Sequence, residues 1–185
     1  MFPRLAAVCI FLTALCTRAE AQVLDASYTL HPGDKIEVSV WKEPDLQKIL
    51  VISPDGKFSL PLAGEILAAG RTVAQIRSEI ETRLKALIAE PVVTVSIVDV
   101  NGNVAYVIGQ VNKPGALFMN PRINVLQALS LTGGGTAFAK LDDVIVIRGA
   151  GSGQHVFAFR YGQVSAGKHL EQNIVLESGD VVIVP

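Results

Sequence analysis

Residues 28–70 read YTLHPGDKIEVSVWKEPDLQKILVISPDGKFSLPLAGEILAAG. Ile36, Val38 and Val40 alternate with Glu37, Ser39 and Trp41, the period of two that sends one set of side chains to a buried sheet face. Pro32-Gly33-Asp34 reads as a turn, because Pro presets φ and Gly accepts positive φ. Ser53-Pro54-Asp55-Gly56 reads as a second turn, joining Ile49–Ile52 to Phe58–Leu62 as an expected hairpin. The stretch predicts a β-rich shape.

Working outward, Val73, Ile76, Ile80, Leu84, Leu87 and Ile88 recur at spacings of three and four, with Arg77, Glu79, Glu81, Arg83 and Lys85 on the other face. That spacing predicts an amphipathic helix, capped by Thr72 and ended by Pro91. Its polar face mixes both charges, so packing on the neighbouring sheet is expected over membrane binding. Pro91–Val100 follows as a strand. Asn101-Gly102 gives a strong turn signal and the expected boundary, so residues 22–101 form one domain and 102–185 a second.

The second unit reads as strand Val104–Val111, turn Lys113-Pro114-Gly115, strand Ala116–Met119 and a short helix from Val125 to Leu131. Strands then come at Val144–Arg148, Val156–Phe159 and Val181–Val184. The fold class expected is α+β, with a small curved sheet in this unit. Leu30-His31-Pro32-Gly33-Asp34 and Leu176-Glu177-Ser178-Gly179-Asp180 share one frame, each preceding a strand. Both predict a tight turn with Gly at positive φ and Asp bonding a nearby backbone N–H.

The chain has 185 residues, half of them hydrophobic and 18% charged, with a net charge of −1. It is long enough for a real core and too apolar for disorder. No basic block is present, which argues against a nucleic-acid partner. Arg4, the apolar run Leu5–Leu15 and Ala19-Glu20-Ala21 read as a secretory signal over residues 1–21, cleaved before Gln22. The run falls short of the ~20 residues of a spanning helix. Leu12-Thr13-Ala14-Leu15-Cys16 loosely resembles a lipobox, but Leu15 is large where that signal has a small residue. Both cysteines, Cys9 and Cys16, leave with the signal, so the mature chain carries no disulfide into its oxidising compartment.

The sequence nominates no catalytic residue, no metal site and no cofactor. Thr132-Gly133-Gly134-Gly135-Thr136 follows its helix and lacks the lysine of a phosphate loop, so it reads as a helix C-terminal cap. His31, His155 and His169 show no ligand spacing. No G-x-S-x-G elbow is present. Asp142-Asp143 and Glu79/Glu81 read as solvated carboxylates. Trp41 and Tyr106 are of a kind that stacks on sugar rings, though core or interface packing is the commoner use of such strand positions.

The first stretch resembles the N-terminal domain of the bacterial outer-membrane polysaccharide export proteins, the Wza-like family. The resemblance is carried by Pro32, Gly33 and Asp34 before the Ile36–Trp41 strand, then Pro54, Asp55 and Gly56, then Pro61 and Gly64. The second unit resembles one soluble-ligand-binding β-grasp (SLBB) domain, through Gly109, Pro114, Gly115, Gly133, Gly134, Gly179 and Asp180. Together the two cover residues ~28–185. The resemblance implies a homo-oligomeric ring through which capsular polysaccharide or exopolysaccharide leaves the cell, in concert with an inner-membrane polysaccharide co-polymerase. It implies transport without bond chemistry.

Larger members carry two or more β-grasp units and a C-terminal helix that crosses the outer membrane. This sequence shows one unit and stops at Pro185 after its last strand. The expectation is therefore a periplasmic, outer-membrane-associated ring or adaptor working with a separate outer-membrane channel. Two other functions stay open. One is a monomeric periplasmic module that binds a glycan or small ligand. The other is a polysaccharide-cleaving enzyme, which needs two carboxylates ~5–9.5 Å apart across a cleft.

Overall fold

The alternation in KIEVSV places Ile36, Val38 and Val40 in the core and leaves Lys35, Glu37 and Ser39 at the surface of strand β1 (Lys35–Val40). The computed structural model describes residues 28–185. The expected signal and its cleavage site lie outside the described residues. β1 is the central strand of an antiparallel sheet ordered β2-β1-β5, with β2 at Glu43–Val51 and β5 at Val93–Asp99. Helix α1 (Val73–Leu84) closes the inner face with Ile76, Ile80 and Leu84, all fully buried.

Thr72 caps α1 in a reciprocal box with Gln75: each side chain bonds the other's backbone N–H. The helix ends seven residues before Pro91, because the chain tightens after Leu84, whose carbonyl accepts from both Leu87 N and Ile88 N. Ile88 still packs on the core, whereas Leu87 is exposed.

The expected hairpin across Ser53–Gly56 does not form. β2 is already paired with β1, Ile36 opposite Leu50, while β3 (Lys57–Leu60) pairs with β4 (Gly64–Leu67), Phe58 opposite Ile66. The short β4 escapes a reading based on local turns, yet it buries Ile66 completely. The Ser53–Gly56 turn redirects the chain between sheets, and the Gly56 carbonyl accepts from both Ala68 N and Ala69 N.

The second sheet has the order β7-β6-β10-β8-β9, with β6 at Val104–Gly109, β7 at Gly115–Phe118, β8 at Val144–Arg148, β9 at His155–Phe159 and β10 at Val181–Val184. The β6–β10 pair is parallel and the others antiparallel. Helix α2 (Val125–Leu131) packs Val125, Ala128 and Leu129 on its inner face, and a short α3 (Tyr161–Ser165) adds Val164. The glycines after α2 form a helix-ending turn: Gly133 N donates to Ser130 O and Gly134 N to Leu129 O, both glycines at positive φ.

The architecture is α+β. Its buried apolar residues fall into two clusters with no shared member, one running from Leu30 to Val95 and the other from Ala105 to Val184. Gly102 lies between them. Asn101-Gly102 was expected to act as a turn, but β5 and β6 do not pair; the segment is a crossing from one core to the other.

Candidate functional site

The two turns that share the L-x-x-G-D frame meet at this crossing. Leu30 and Leu176 anchor them in their respective cores. Gly33 and Gly179 have φ of 94° and 90°, which lets each chain reverse into its strand. Asp34 and Asp180 are both fully buried, and each carboxylate accepts from the backbone N–H three residues earlier: His31 N to Asp34 Oδ2 at 2.8 Å, Glu177 N to Asp180 Oδ2 at 2.8 Å.

Each turn also feeds its strand into a sheet by the same pair of bonds. Gly33 N donates to Ile52 O and Ile52 N to Asp34 O; Gly179 N donates to Val104 O and Tyr106 N to Asp180 O. One residue serves both bonds on the antiparallel neighbour, and two residues spaced by two serve them on the parallel neighbour.

The turns differ in what completes the buried carboxylate. Asp34 takes the Tyr28 hydroxyl on Oδ2 at 2.6 Å and the Gly102 N–H on Oδ1 at 2.7 Å. Burial first, and the Asp34 carboxylate second, push the Tyr28 phenol well above the usual tyrosine range. Asp180 is instead clamped by Arg148, with Nε on Oδ1 at 2.9 Å and an Nη on Oδ2 at 2.7 Å. That clamp raises the guanidinium's pKa further, against the opposing effect of partial burial. Arg148 also bonds Glu177 and the Val175 carbonyl, and stacks over the Phe157 ring at 5.2 Å.

Gly102 ties the two turns together. Its N–H goes to Asp34, and its carbonyl accepts the Ser178 hydroxyl at 2.8 Å. A β-carbon here would overlap the Pro32 carbonyl oxygen and sit 2.6 Å from His31 Cβ. Only glycine permits this approach. A cleft of about 410 Å³ opens beside the seam, lined by Tyr28, His31, Asn103, Arg122, Glu177 and Ser178 among others.

Thus Pro32, Gly33, Asp34, Gly179 and Asp180 converge on the seam. The other residues singled out in the sequence do not. Pro54, Asp55 and Gly56 form the turn after β2, where Ser53 bonds the Asp55 carboxylate and holds its pKa low. Pro61 and Gly64 flank the β3–β4 tip, which Arg83 of α1 holds through the Ala63 and Glu65 carbonyls at 2.9 and 2.6 Å. Gly109 passes so close to Val184 that a β-carbon would overlap its carbonyl; Pro114 and Gly115 lead into β7, and Gly133 and Gly134 end α2.

Two carboxylates depart from their expected settings. Glu79 is not simply solvated: it bridges Arg71 and Arg83, and Arg71 chiefly holds its carboxyl below the usual range. Asp142 accepts Gly162 N at 2.7 Å and so starts α3. Trp41 and Tyr106 are outside the core, Trp41 being 71% exposed beside Pro44 and Val92. Gly102, Arg148 and Ser178 are the residues that sequence reasoning missed; Arg148 and Ser178 meet partners 32 and 76 residues away. Among the described residues, no group of three potential metal ligands comes together.

Comparison with known proteins matches residues 22–98 to the model for polysaccharide biosynthesis/export proteins and residues 103–184 to that for SLBB domains. The chain is 28% identical over 173 residues to the capsule polysaccharide export outer membrane protein CtrA of Neisseria meningitidis, covering 83% of this chain and 43% of that one. It is 28% identical over 146 residues to the exopolysaccharide production protein ExoF of Rhizobium meliloti, covering 72% and 33%. Against the EPS I polysaccharide export outer membrane protein EpsA of Ralstonia solanacearum it is 27% identical over 131 residues, covering 58% and 35%. The matched regions thus span about a third to two fifths of these relatives' own length.

Proposed function

We infer that this chain, which belongs to the polysaccharide biosynthesis/export protein family, is an outer-membrane-associated periplasmic component of a capsule or exopolysaccharide export machinery. The observation that carries this is the succession of the two family matches, one over each buried core and meeting at the Gly102 crossing. In this reading the chain assembles with copies of itself into a ring-like conduit or adaptor, and receives polymer from an inner-membrane co-polymerase. Its contribution is passage and positioning, with no bond made or broken. No helix among the described residues is long and apolar enough to cross a membrane. In this reading a separate outer-membrane channel completes the path.

The seam cleft favours a second reading, a monomeric module that holds a glycan among Tyr28, His31, Asn103, Arg122 and Glu177. It predicts a saturable ligand and no self-assembly. The deciding experiment deletes the gene cleanly in the producing bacterium and quantifies surface, medium and periplasmic polymer beside a complemented strain. External polymer should collapse and return on complementation. Unchanged external polymer, with no paralogue covering the loss, overturns export and leaves the binding module.

A further inference from the structure

The outer faces of the two sheets differ in their share of charged and polar side chains. On the first, the side chains turned away from the core include Lys35, Glu37, Ser39, Gln47, Thr94 and Ser96 beside the exposed Ile49, Val51 and Val98, with a Lys35–Asp99 ion pair at 3.0 Å and a Gln47–Glu37 bond at 3.2 Å. Charged and polar side chains break up the apolar ones, as on a sheet with one face in water.

On the second sheet the alternation fails. Ala105, Val107, Val146 and Val182 point into the core, so the intervening residues of the same strands point out. Tyr106 and Ile108 of β6, Phe118 of β7, Ile145 of β8, Val156 of β9 and Ile183 of β10 are representative, and no outward side chain within these five strands is charged. Strands apolar on both sides are the pattern of a sheet covered on both sides. Helices cover one side here.

Five strands of four to six residues, ~4.8 Å apart and with two or three outward residues each, make a patch of ~400 Å². That is the size of the largest apolar patch on a typical monomer, often a functional one, and it suits the apolar centre of an ordinary protein contact of ~800 Å² per partner with a polar rim. A sugar polymer is a poor match, since the Tyr106 hydroxyl is the one hydrogen-bonding side-chain group on the patch.

The opposite side of the same unit carries a different apolar surface. A groove of about 500 Å³ lies between α2, the Gly133–Gly135 turn and Tyr161, and Leu131 and Phe138, close in the chain to this turn, are exposed, Phe138 by 84%.

We propose that the outer face of the second sheet is covered by a second copy of this chain, docked head to tail through that copy's α2–Phe138 surface. The proposal rests on the self-assembly in the function proposed above and names the surfaces that perform it. A face-to-face pairing would close at two copies and leave the groove uncovered. Two unlike surfaces on opposite sides of one layered unit instead pass the contact on from copy to copy until rotation closes a ring.

The test uses sedimentation velocity on the chain purified from the periplasm. Ile108→Lys spoils the sheet face, Phe138→Lys spoils the helix side, and Ser96→Lys on the polar sheet is the control; all three sites are at the surface, and circular dichroism melts establish folding. The wild type and the control should form species larger than dimers. Each of the other variants should lose association by about 30-fold or more, the effect of removing a central contact. Mixed together, the two variants retain one intact pair of surfaces and should form dimers and nothing larger.

If Ile108→Lys assembles like wild type, or Phe138→Lys leaves a dimer intact, the surface assignment is overturned while self-assembly stands. If the wild type is monomeric at every concentration, the assignment and the ring reading both fall. A monomer that floats with lipid vesicles through Ile108 overturns the proposal in favour of a membrane contact.

Discussion

Replacing Gly102 by alanine sets a β-carbon 2.6 Å from His31 Cβ and inside the envelope of the Pro32 carbonyl oxygen. The Pro32 oxygen is nearest, so the first turn and the crossing must separate by about 1.1 Å to reach ordinary contact near 3.4 Å. That movement stretches the 2.7 Å bond from Gly102 N to the buried Asp34 carboxylate, and with it the 2.8 Å bond from Ser178. A bond to a charged group contributes ~1.5–3 kcal/mol and a neutral one ~0.5–1.5 kcal/mol. The expected loss is therefore about 2–4 kcal/mol in urea unfolding followed by circular dichroism. Gly153→Ala, where no atom lies within 4 Å of the added carbon, should change stability by less than ~0.5 kcal/mol. In amide correlation spectra of Gly102→Ala, shifts should concentrate at residues 28–34, 101–103 and 176–180. A Gly102→Ala protein as stable as the control, with those amides unmoved, refutes the account of the seam.

Arg148→Met leaves the buried Asp180 with the Glu177 N–H alone, and should cost ~3–5 kcal/mol in a thermal melt, whereas Lys57→Met, which breaks an exposed pair with Glu65, should cost less than ~1 kcal/mol. Equal effects would deny the clamp its role. Tyr28 supplies a pH prediction. Its folded pKa lies above the unfolded value near ~10, so its contribution is intact below that pH. Above it the unfolded state releases the proton first, and stability declines until the folded phenol ionises. The urea midpoint should thus fall more steeply between about pH 9 and 11 in the wild type than in Tyr28→Phe. Identical slopes would exclude a protonated Tyr28–Asp34 pair.

Elements held by local periodicity were legible in the sequence. β1, α1 and α2 each show their buried face in the spacing of Ile, Val and Leu, and both helices carry a reciprocal capping box, at Thr72 with Gln75 and at Asn124 with Gln127. Pairing decided by distant partners was not. The Ser53–Gly56 turn has hairpin chemistry, yet β2 is held by β1 and β3 by β4, so the local signal pointed to the wrong neighbour.

The seam was half legible. The shared L-x-x-G-D frame predicted two turns with positive-φ glycines, but nothing in either turn says that both aspartates are buried or that the turns meet. The need for Gly102 comes from a carbonyl 70 residues back in the chain, and a contact of that kind leaves no local mark. One signal was present and unused: VAYVIG, VIVIR and VVIV are apolar at nearly every position, the composition of strands with no watery side.

The joint at Gly102 has a mechanical consequence. A chain segment between two folded bodies ordinarily supplies soft torsions, two per residue, and the bodies swivel about them. Here the peptide plane before the Cα is fastened to one body and the plane after it to the other. Turning either plane breaks a bond, so the link works as a splice. Torque applied to one body is passed to the other through these two bonds, and in the ring proposed above the second body would set the heading of the first.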